Sequence, residues 1–253
     1  NLLHAGLMRA VLRFGDTLLL LRGHGWFVRA YQARGFWRNF FPVAMRALAK
    51  AVLAQMDPAT GGEVARVYAF LVERHALFAD DDRSAGGDAS GEDGTATSDT
   101  FLEALLSGDE ALCLRIARDV AARPGGLAGL YEGVIRPAMR TIGGRWEAGK
   151  LDGSAERIAS GIVERITHVA GVETVARRPA FGAGAVVACA PEERHVIGAR
   201  MVADLLLADG WDVLYLGAGV SAAELPKLLR SRGSSLLALS ATMPAHLVEV
   251  RNA

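Results

Sequence analysis

Residues 185–198 read AVVACAPEERHVIG, and this stretch determines the fold that the sequence predicts. Its first part, Ala185 to Ala190, is a continuous apolar run of strand length, as expected for a strand buried on both faces. A polar loop follows, and from about Val196 to Ala208 the apolar residues recur at helical spacing. A buried strand followed by a loop and a helix is the repeating unit of a parallel sheet.

The same alternation continues toward the C-terminus. Trp211 to Leu216 and Ser235 to Thr242 are two further strand-like runs, and a helix that starts at Ser221 or Ala222 and ends at Gly233 separates them. We therefore predict an α/β domain over residues 182–253, with a flavodoxin-like, doubly wound parallel sheet. Three strands are few for such a sheet, so we expect this domain to be incomplete and its remaining strands to lie beyond Ala253.

Upstream, residues 99–177 have helical periodicity and predict an all-α segment. Ser98 or Asp99 is expected to cap its first helix and Asp109 its second. Pro137 predicts a kink in the third helix, and Ser154 a cap for the fourth. Short connections between these helices favour an antiparallel four-helix bundle; the predicted helices cover about 99–106, 110–122, 127–146 and 155–175.

Residues 1–79 and 80–98 differ sharply in composition. The first segment predicts helices and contains ten Arg or Lys residues against four Asp or Glu, together with most of the aromatic residues. We interpret it as a helical module with a solvated basic face and assign it no role. Residues 80–98 read DDDRSAGGDASGEDGTATS, which has no large apolar side chain and predicts a flexible linker.

Composition excludes several classes of protein. The chain is 51% hydrophobic and 22% charged, with a formal net charge of zero, so its overall charge favours neither nucleic acid nor an anionic membrane as partner. The run Thr17 to Leu21 is too short to span a bilayer. Cys113 and Cys189 are the two cysteines, both within apolar runs, which fits a reducing compartment and predicts a cytoplasmic location.

The loop after the first predicted strand contains the candidate site, Glu193, His195 and Gly198. In an open parallel sheet, ligands bind beyond the carboxyl ends of the strands, which is where His195 is expected. Glu193 is close enough in sequence to bind one ring nitrogen and leave the other for a metal. Gly198 would let the backbone approach a ligand closely. Taken alone, a single histidine in a loop is most often a surface side chain.

The order of these residues resembles a known family. Glu193-Arg194-His195-Val196-Ile197-Gly198 is similar to the Asp/Glu-x-His-x-x-Gly signature of cobalamin-binding domains, found in methionine synthase, corrinoid carrier proteins and cobalamin photoreceptors. The resemblance implies that His195 displaces the benzimidazole base of the cofactor and ligates cobalt. Ser240 and Thr242, at the end of the third predicted strand, resemble the element that lines the slot for the displaced nucleotide tail.

The helical segment extends the resemblance. In this family a four-helix cap covers the upper face of the corrin, and residues 131–160 resemble that cap. Trp146, followed ten residues later by Glu156, is similar to the motif of adenosylcobalamin photoreceptors. Two positions depart from it: Arg157 replaces a histidine of the motif, and Glu147 replaces the histidine that captures cobalt after illumination.

The resemblance implies a cobalamin-binding sensory or regulatory protein rather than an enzyme, and we expect this protein to prefer adenosylcobalamin. A light response is compatible with this interpretation, although the two departures argue against light sensing of the photoreceptor type. The alternative is a corrinoid carrier that presents methylcobalamin to a partner methyltransferase. A third interpretation is an α/β signalling domain that binds no cobalamin. A homo-oligomer or a downstream signalling partner is compatible with the first interpretation.

Overall fold

The computed structural model describes residues 2–79, 96–175 and 182–246, together with residues 248 and 250. Most of the expected linker, residues 80–95, lies outside the described residues. The chain divides into two units. The first is built on the N-terminal helices and includes the short segments 147–150 and 243–248; the second contains the remaining helices and the sheet.

Residues 2–79 are mostly helical, as their periodicity predicted. Asp57 begins the fourth helix, because its carboxylate accepts a hydrogen bond from the Thr60 N–H at 3.0 Å and Pro58 stands in the first turn. The aromatic residues of this unit largely contact one another; the Tyr31 ring, for example, lies 5.2 Å from that of Phe41. The helices are α1 (Leu2–Phe14), α2 (Leu18–Gln32), α3 (Phe40–Gln55), α4 (Pro58–Arg74) and α5 (Ala76–Ala79).

The second unit begins with the predicted helical bundle. Its buried core includes Phe101, Leu105, Tyr131 and Ile142. The helices are α6 (Ala96–Ser107), α7 (Glu110–Ala121), α8 (Gly126–Leu130), a π-helical turn (Tyr131–Ile135), α9 (Arg136–Glu147) and α10 (Gly153–Val175).

Three details of this bundle differ from the sequence-based expectations. Ser98 does not cap α6: the helix starts earlier, and the buried Ser98 hydroxyl donates to the Val134 carbonyl at 3.3 Å. Asp152, not Ser154, caps α10, since its carboxylate accepts from the Ala155 N–H at 2.8 Å. The expected kink at Pro137 is a π-helical turn just before it. The Arg136 N–H donates to the carbonyl of Tyr131, and the wider turn makes room for the proline ring.

The sheet has three parallel strands in the order β2–β1–β3, as the predicted doubly wound topology requires. The central strand β1 is buried along nearly its whole length, which explains its uninterrupted apolar sequence. The elements are β1 (Gly184–Cys189), α11 (Val196–Ala208), β2 (Asp212–Gly217), α12 (Leu225–Arg232) and β3 (Leu236–Ser240), followed by a short 3₁₀ turn (Pro244–His246). The predicted fold class, a helical cap followed by a flavodoxin-like sheet domain, is confirmed.

The two parts of the second unit meet at α11. One side of this helix, including Ile197, Met201 and Leu205, packs against the core of the bundle. Another side, including Ala199 and Ala203, packs against strand residues of the sheet. Helix α11 is therefore shared by both cores, which accounts for its almost entirely apolar sequence.

Helices α10 and α11 approach each other closely at Gly171 of α10, and a substitution there tests how close this contact is. A Cβ atom at this position would lie 2.6 Å from Cγ of the buried Asp204. On helix propensity alone, Gly171→Ala would stabilise the protein by up to about 1 kcal/mol. We expect the steric conflict to prevail and the free energy of unfolding to fall by about 1–3 kcal/mol, measured by chemical denaturation.

Gly161→Ala on the same helix is the matched control. Its Cβ would meet only the end of the Arg165 side chain, at 3.7 Å, so this substitution should leave stability unchanged or raise it. Equal effects of the two substitutions would show that the contact between Gly171 and Asp204 is looser than described.

Candidate functional site

The loop between β1 and α11 brings the predicted site residues to the carboxyl edge of the sheet. Pro191 and Glu192 form a turn in which the Glu193 N–H donates to the Ala190 carbonyl at 2.9 Å. Glu192 has a φ of 69°, a left-handed conformation that is uncommon for residues other than glycine. This turn sends the Glu193 side chain inward, where it is 1% exposed.

The buried carboxylate of Glu193 organises the loop. Oε1 accepts hydrogen bonds from the backbone N–H groups of Arg194 at 2.8 Å and His195 at 2.9 Å. Oε2 accepts from the backbone N–H of Thr242, beyond the end of β3, at 2.6 Å. A buried carboxylate is costly unless hydrogen bonds compensate for its lost hydration. The same bonds fix the loop against the end of the third strand.

Glu193 also orients the imidazole of His195. Oε1 lies 2.5 Å from Nδ1 of the ring, and this is the contact that the spacing of the two residues suggested. The His195 side chain is 66% exposed, whereas that of Glu193 is fully buried. With Nδ1 held by the carboxylate, Nε2 is the other ring nitrogen of a largely exposed side chain.

Neighbouring residues complete the loop. His195 is the residue that precedes the first turn of α11. A Cβ placed on Gly198 would meet nothing within 4 Å, so the first turn of α11 has open space beside it. The Cys189 thiol lies 3.7 Å from the His195 carbonyl, and burial together with the negative charge of Glu193 raises its pKa. This thiol is therefore a neutral, buried part of the loop support.

Ser240 and Thr242 contribute backbone groups to the hydrogen bonds at this edge of the sheet. The Ser240 carbonyl accepts from the Ala190 N–H at 2.8 Å, which extends the pairing of β1 with β3 by one residue. Thr242 is bound to Glu193 as described. The structure thus brings Glu193, His195, Ser240 and Thr242 together at one edge, while the contact of Ser240 and Thr242 with a nucleotide tail stays a prediction.

Trp146 and Glu156 lie at the facing ends of α9 and α10. Both are partly buried. A Cβ on Gly153, at the start of α10, would lie 3.7 Å from Nε1 of Trp146, so the indole lies against the first turn of α10. Glu156 is in that first turn, and its Oε1 accepts from the Ser160 hydroxyl at 2.8 Å.

The residue after Trp146 has a different partner. The carboxylate of Glu147 pairs with Arg29 Nε at 2.5 Å, and both residues belong to the first unit. Both side chains are about one quarter exposed or less. Glu147 is one of the two positions that depart from the photoreceptor motif, and its carboxylate already has a cationic partner in Arg29.

Comparison with known proteins identifies the family of this chain. Two family models, both described as B12 binding domain, match residues 97–169 and residues 183–253. The chain belongs to the cobalamin-binding domain family. A solved structure described as the Methanosarcina barkeri monomethylamine corrinoid protein has a TM-score of 0.53 with this chain at 18% identity, over 62% of this chain and 74% of the other. At that identity the likeness shows the fold alone. No curated protein matches significantly.

The cobalamin-binding family places limited demands on protein ligands. Among the described residues, no three His, Cys, Asp or Glu side chains are grouped to hold a metal ion. A cobalt ion that is already held by a corrin ring needs no such group. Within the same residues, no helix combines the length and the apolar character needed to cross a bilayer.

A buried polar cluster formed by Tyr131, Arg200 and Asp204 has no counterpart among the sequence-based predictions. Asp204 is fully buried on α11 and accepts a hydrogen bond from the Tyr131 hydroxyl at 2.8 Å. Arg200 and Asp204 are the only charged residues of α11 and stand four apart. That spacing within an apolar helix was a usable signal for a buried ion pair.

The Glu193 network predicts a stability effect that requires no cofactor. In Glu193→Gln, the amide nitrogen must face a backbone N–H on one side, because donors surround both oxygens of the native carboxylate. We expect the free energy of unfolding of the cofactor-free chain to fall by about 1–3 kcal/mol in chemical denaturation.

Glu192→Gln is the matched control for this change. It neutralises the adjacent, exposed carboxylate and should alter stability by less than about 0.5 kcal/mol. A Glu193→Gln variant as stable as Glu192→Gln would contradict the proposed hydrogen-bond network.

Proposed function

We propose that this chain binds cobalamin with His195 as the lower axial ligand of cobalt. The observation that carries the proposal is the contact between His195 Nδ1 and the buried Glu193 carboxylate. It leaves Nε2 exposed at the carboxyl edge of the sheet. A carboxylate partner raises the basicity of a metal-bound imidazole and restricts its orientation. The open space beside Gly198 supports close approach of a large ligand to α11.

Each site residue has a defined task in this proposal. Glu193 holds the imidazole and joins the loop to the end of β3. His195 donates its Nε2 lone pair to cobalt. Gly198 keeps the first turn of α11 clear. Ser240 and Thr242 border the place where the nucleotide tail would enter beside β3. Cobalamin supplies a reactive cobalt–carbon bond when an alkyl group occupies the upper face.

For the upper face we propose an adenosyl ligand and a sensory or regulatory role. The indole of Trp146 against the start of α10 supports a flat apolar wall. Glu156, held by Ser160, is an acceptor for ribose hydroxyl groups. Bound adenosylcobalamin would supply a light-sensitive bond between cobalt and the adenosyl carbon. The pairing of Glu147 with Arg29 supports water or hydroxide, rather than a second protein ligand, as what then occupies the upper face.

A corrinoid carrier is the second candidate. The fold similarity to a monomethylamine corrinoid protein favours it. In that case the bound form would be methylcobalamin, and a methyltransferase would be the partner. The loop that contains Glu193 and His195 suits both candidate functions equally. The residues expected at the upper face of the corrin, Trp146 and Glu156, therefore distinguish the two functions.

The test of ligation is electron paramagnetic resonance of the chain loaded with cobalamin and reduced to cob(II)alamin. Labelling the protein with ¹⁵N-histidine should convert the axial nitrogen splitting from a triplet to a doublet, because only a histidine nitrogen carries the label. His195→Ala should abolish the doublet, whereas His168→Ala, at an exposed position on α10, should retain it. A triplet in the labelled wild-type protein would identify the benzimidazole as ligand and contradict the proposal.

The test of the upper face compares dissociation constants for adenosylcobalamin and methylcobalamin. We expect wild-type protein to bind the adenosyl form more tightly. Trp146→Ala should reduce that preference by about tenfold, the cost of losing one buried aromatic contact of about 1.4 kcal/mol. Trp211→Ala is the control, since this indole bonds Asp209 in the turn before β2. Equal affinity of the wild-type protein for both forms would favour the carrier.

A further inference from the structure

Asp204 is the charged centre of the contact between the helical cap and the sheet domain. Its side chain is fully buried on α11. The Tyr131 hydroxyl donates to its Oδ2 at 2.8 Å from the cap. Arg200, one turn earlier on α11, donates to the same oxygen through Nε at 3.0 Å. Gly171 of α10 packs directly against the carboxylate.

This cluster fixes the orientation of the cap on α11 more than it adds to the free energy of folding. A buried ion pair is often no more stabilising than apolar side chains of the same volume. Removing one partner is nevertheless costly, because the other partner remains buried without compensation. Burial and the negative charge of Asp204 raise the pKa of Tyr131. The phenol therefore stays protonated and donates a hydrogen bond to Asp204. The cluster therefore favours one orientation of the cap on α11.

The position of Tyr131 in the cap is unusual. It is the first residue of the π-helical turn, so the cap departs from α-helical geometry at the residue that contacts Asp204. Single π-helical turns occur frequently at functional positions in helices. The Tyr131 side chain is itself fully buried, and its hydroxyl also lies 3.4 Å from the Thr167 carbonyl of α10.

Helix α11 connects this contact to the proposed cobalt ligand. His195 immediately precedes the helix, and Asp204 follows nine residues later, about 14 Å along the axis at 1.5 Å per residue. The helix is packed against both cores between these points. Because α11 is one continuous helix, the position of its C-terminal half constrains the position of its first turn.

We propose that Tyr131 and Asp204 are positioning residues that set the location of the cap relative to His195. The proposal rests on the proposed function, since it assigns these residues to the cobalamin site between cap and sheet edge. Through α11 they determine how closely the cap approaches the upper face of the corrin. They touch neither cobalt nor its proposed ligand.

Tyr131→Phe in the full chain is the primary test, because it removes one hydroxyl and keeps the ring. In hydrogen–deuterium exchange of the cofactor-free protein, we expect amides of residues 126–147 and 153–175 to exchange about three- to tenfold faster, the effect of losing one buried hydrogen bond. Amides of β1 and β2 should be unchanged. Affinity for adenosylcobalamin should fall by a similar factor and affinity for hydroxocobalamin by less than about twofold, since only the larger ligand reaches the cap.

Tyr68→Phe is the matched control. Tyr68 is a second buried tyrosine, on α4 of the first unit, so the same atom is deleted from a helix outside both the cap and the sheet domain. Exchange in the cap should remain at the wild-type rate in this variant. Unchanged cap exchange in Tyr131→Phe, or equal acceleration in both variants, would overturn the proposal. So would an equal loss of affinity for both cobalamins.

Asp204→Asn is the second variant and decides the matter should Tyr131→Phe fail to fold. It keeps the side-chain size while removing the counter-charge of Arg200, so the same cap segments should exchange faster, by a larger factor. The exchange measurement needs no cofactor. A chain that shows this change but binds no cobalamin would support the positioning contact and contradict the proposed function.

Discussion

The buried carboxylate of Glu193 is the interaction on which the site depends. An acidic side chain with 1% exposure at the edge of a sheet is stable because hydrogen bonds compensate for its lost hydration. Donors include the loop that follows β1 and the backbone N–H of Thr242 beyond β3. The carboxylate therefore fixes the loop, holds the ends of two neighbouring strands together and orients the His195 ring, all through one charge.

Helix α11 extends the consequences of this arrangement into the cap. The loop that Glu193 organises leads directly into the helix, so the position of the first turn is set at the sheet edge. Ile197 and Met201 then pack on the bundle, and Ala199 and Ala203 on the strands. The two charged residues of the helix form an ion pair at the cap contact. One helix thus has the Glu193 and His195 loop at its start and a polar contact with the cap near its end.

Local patterns in the sequence were sufficient for most of the fold. The apolar run of β1, the helix after His195 and the cap of α7 by Asp109 are set by near neighbours, and all were predicted correctly. The cap of α10 was assigned to Ser154, because Asp152 and Ser154 are equally good capping residues and only the backbone geometry decides between them. The bond between Tyr131 and Asp204 joins residues 73 apart in the sequence. No local pattern encodes its partner, although the charge pair in α11 indicated that a buried contact exists.

The residues of the cap, rather than those of the sheet, distinguish the two candidate functions. A histidine held by a buried carboxylate serves any alkylcobalamin, because it acts on the lower face. Glu156 is different: Ser160 donates to its carboxylate, so its orientation is set before any ligand binds. A methyl group offers this acceptor no hydrogen, so with a methyl ligand Glu156 would gain no hydrogen bond beyond the one from Ser160. An adenosyl group carries ribose hydroxyls that can donate to it. We therefore propose that the preorganised carboxylate of Glu156 favours an adenosyl ligand over a methyl ligand.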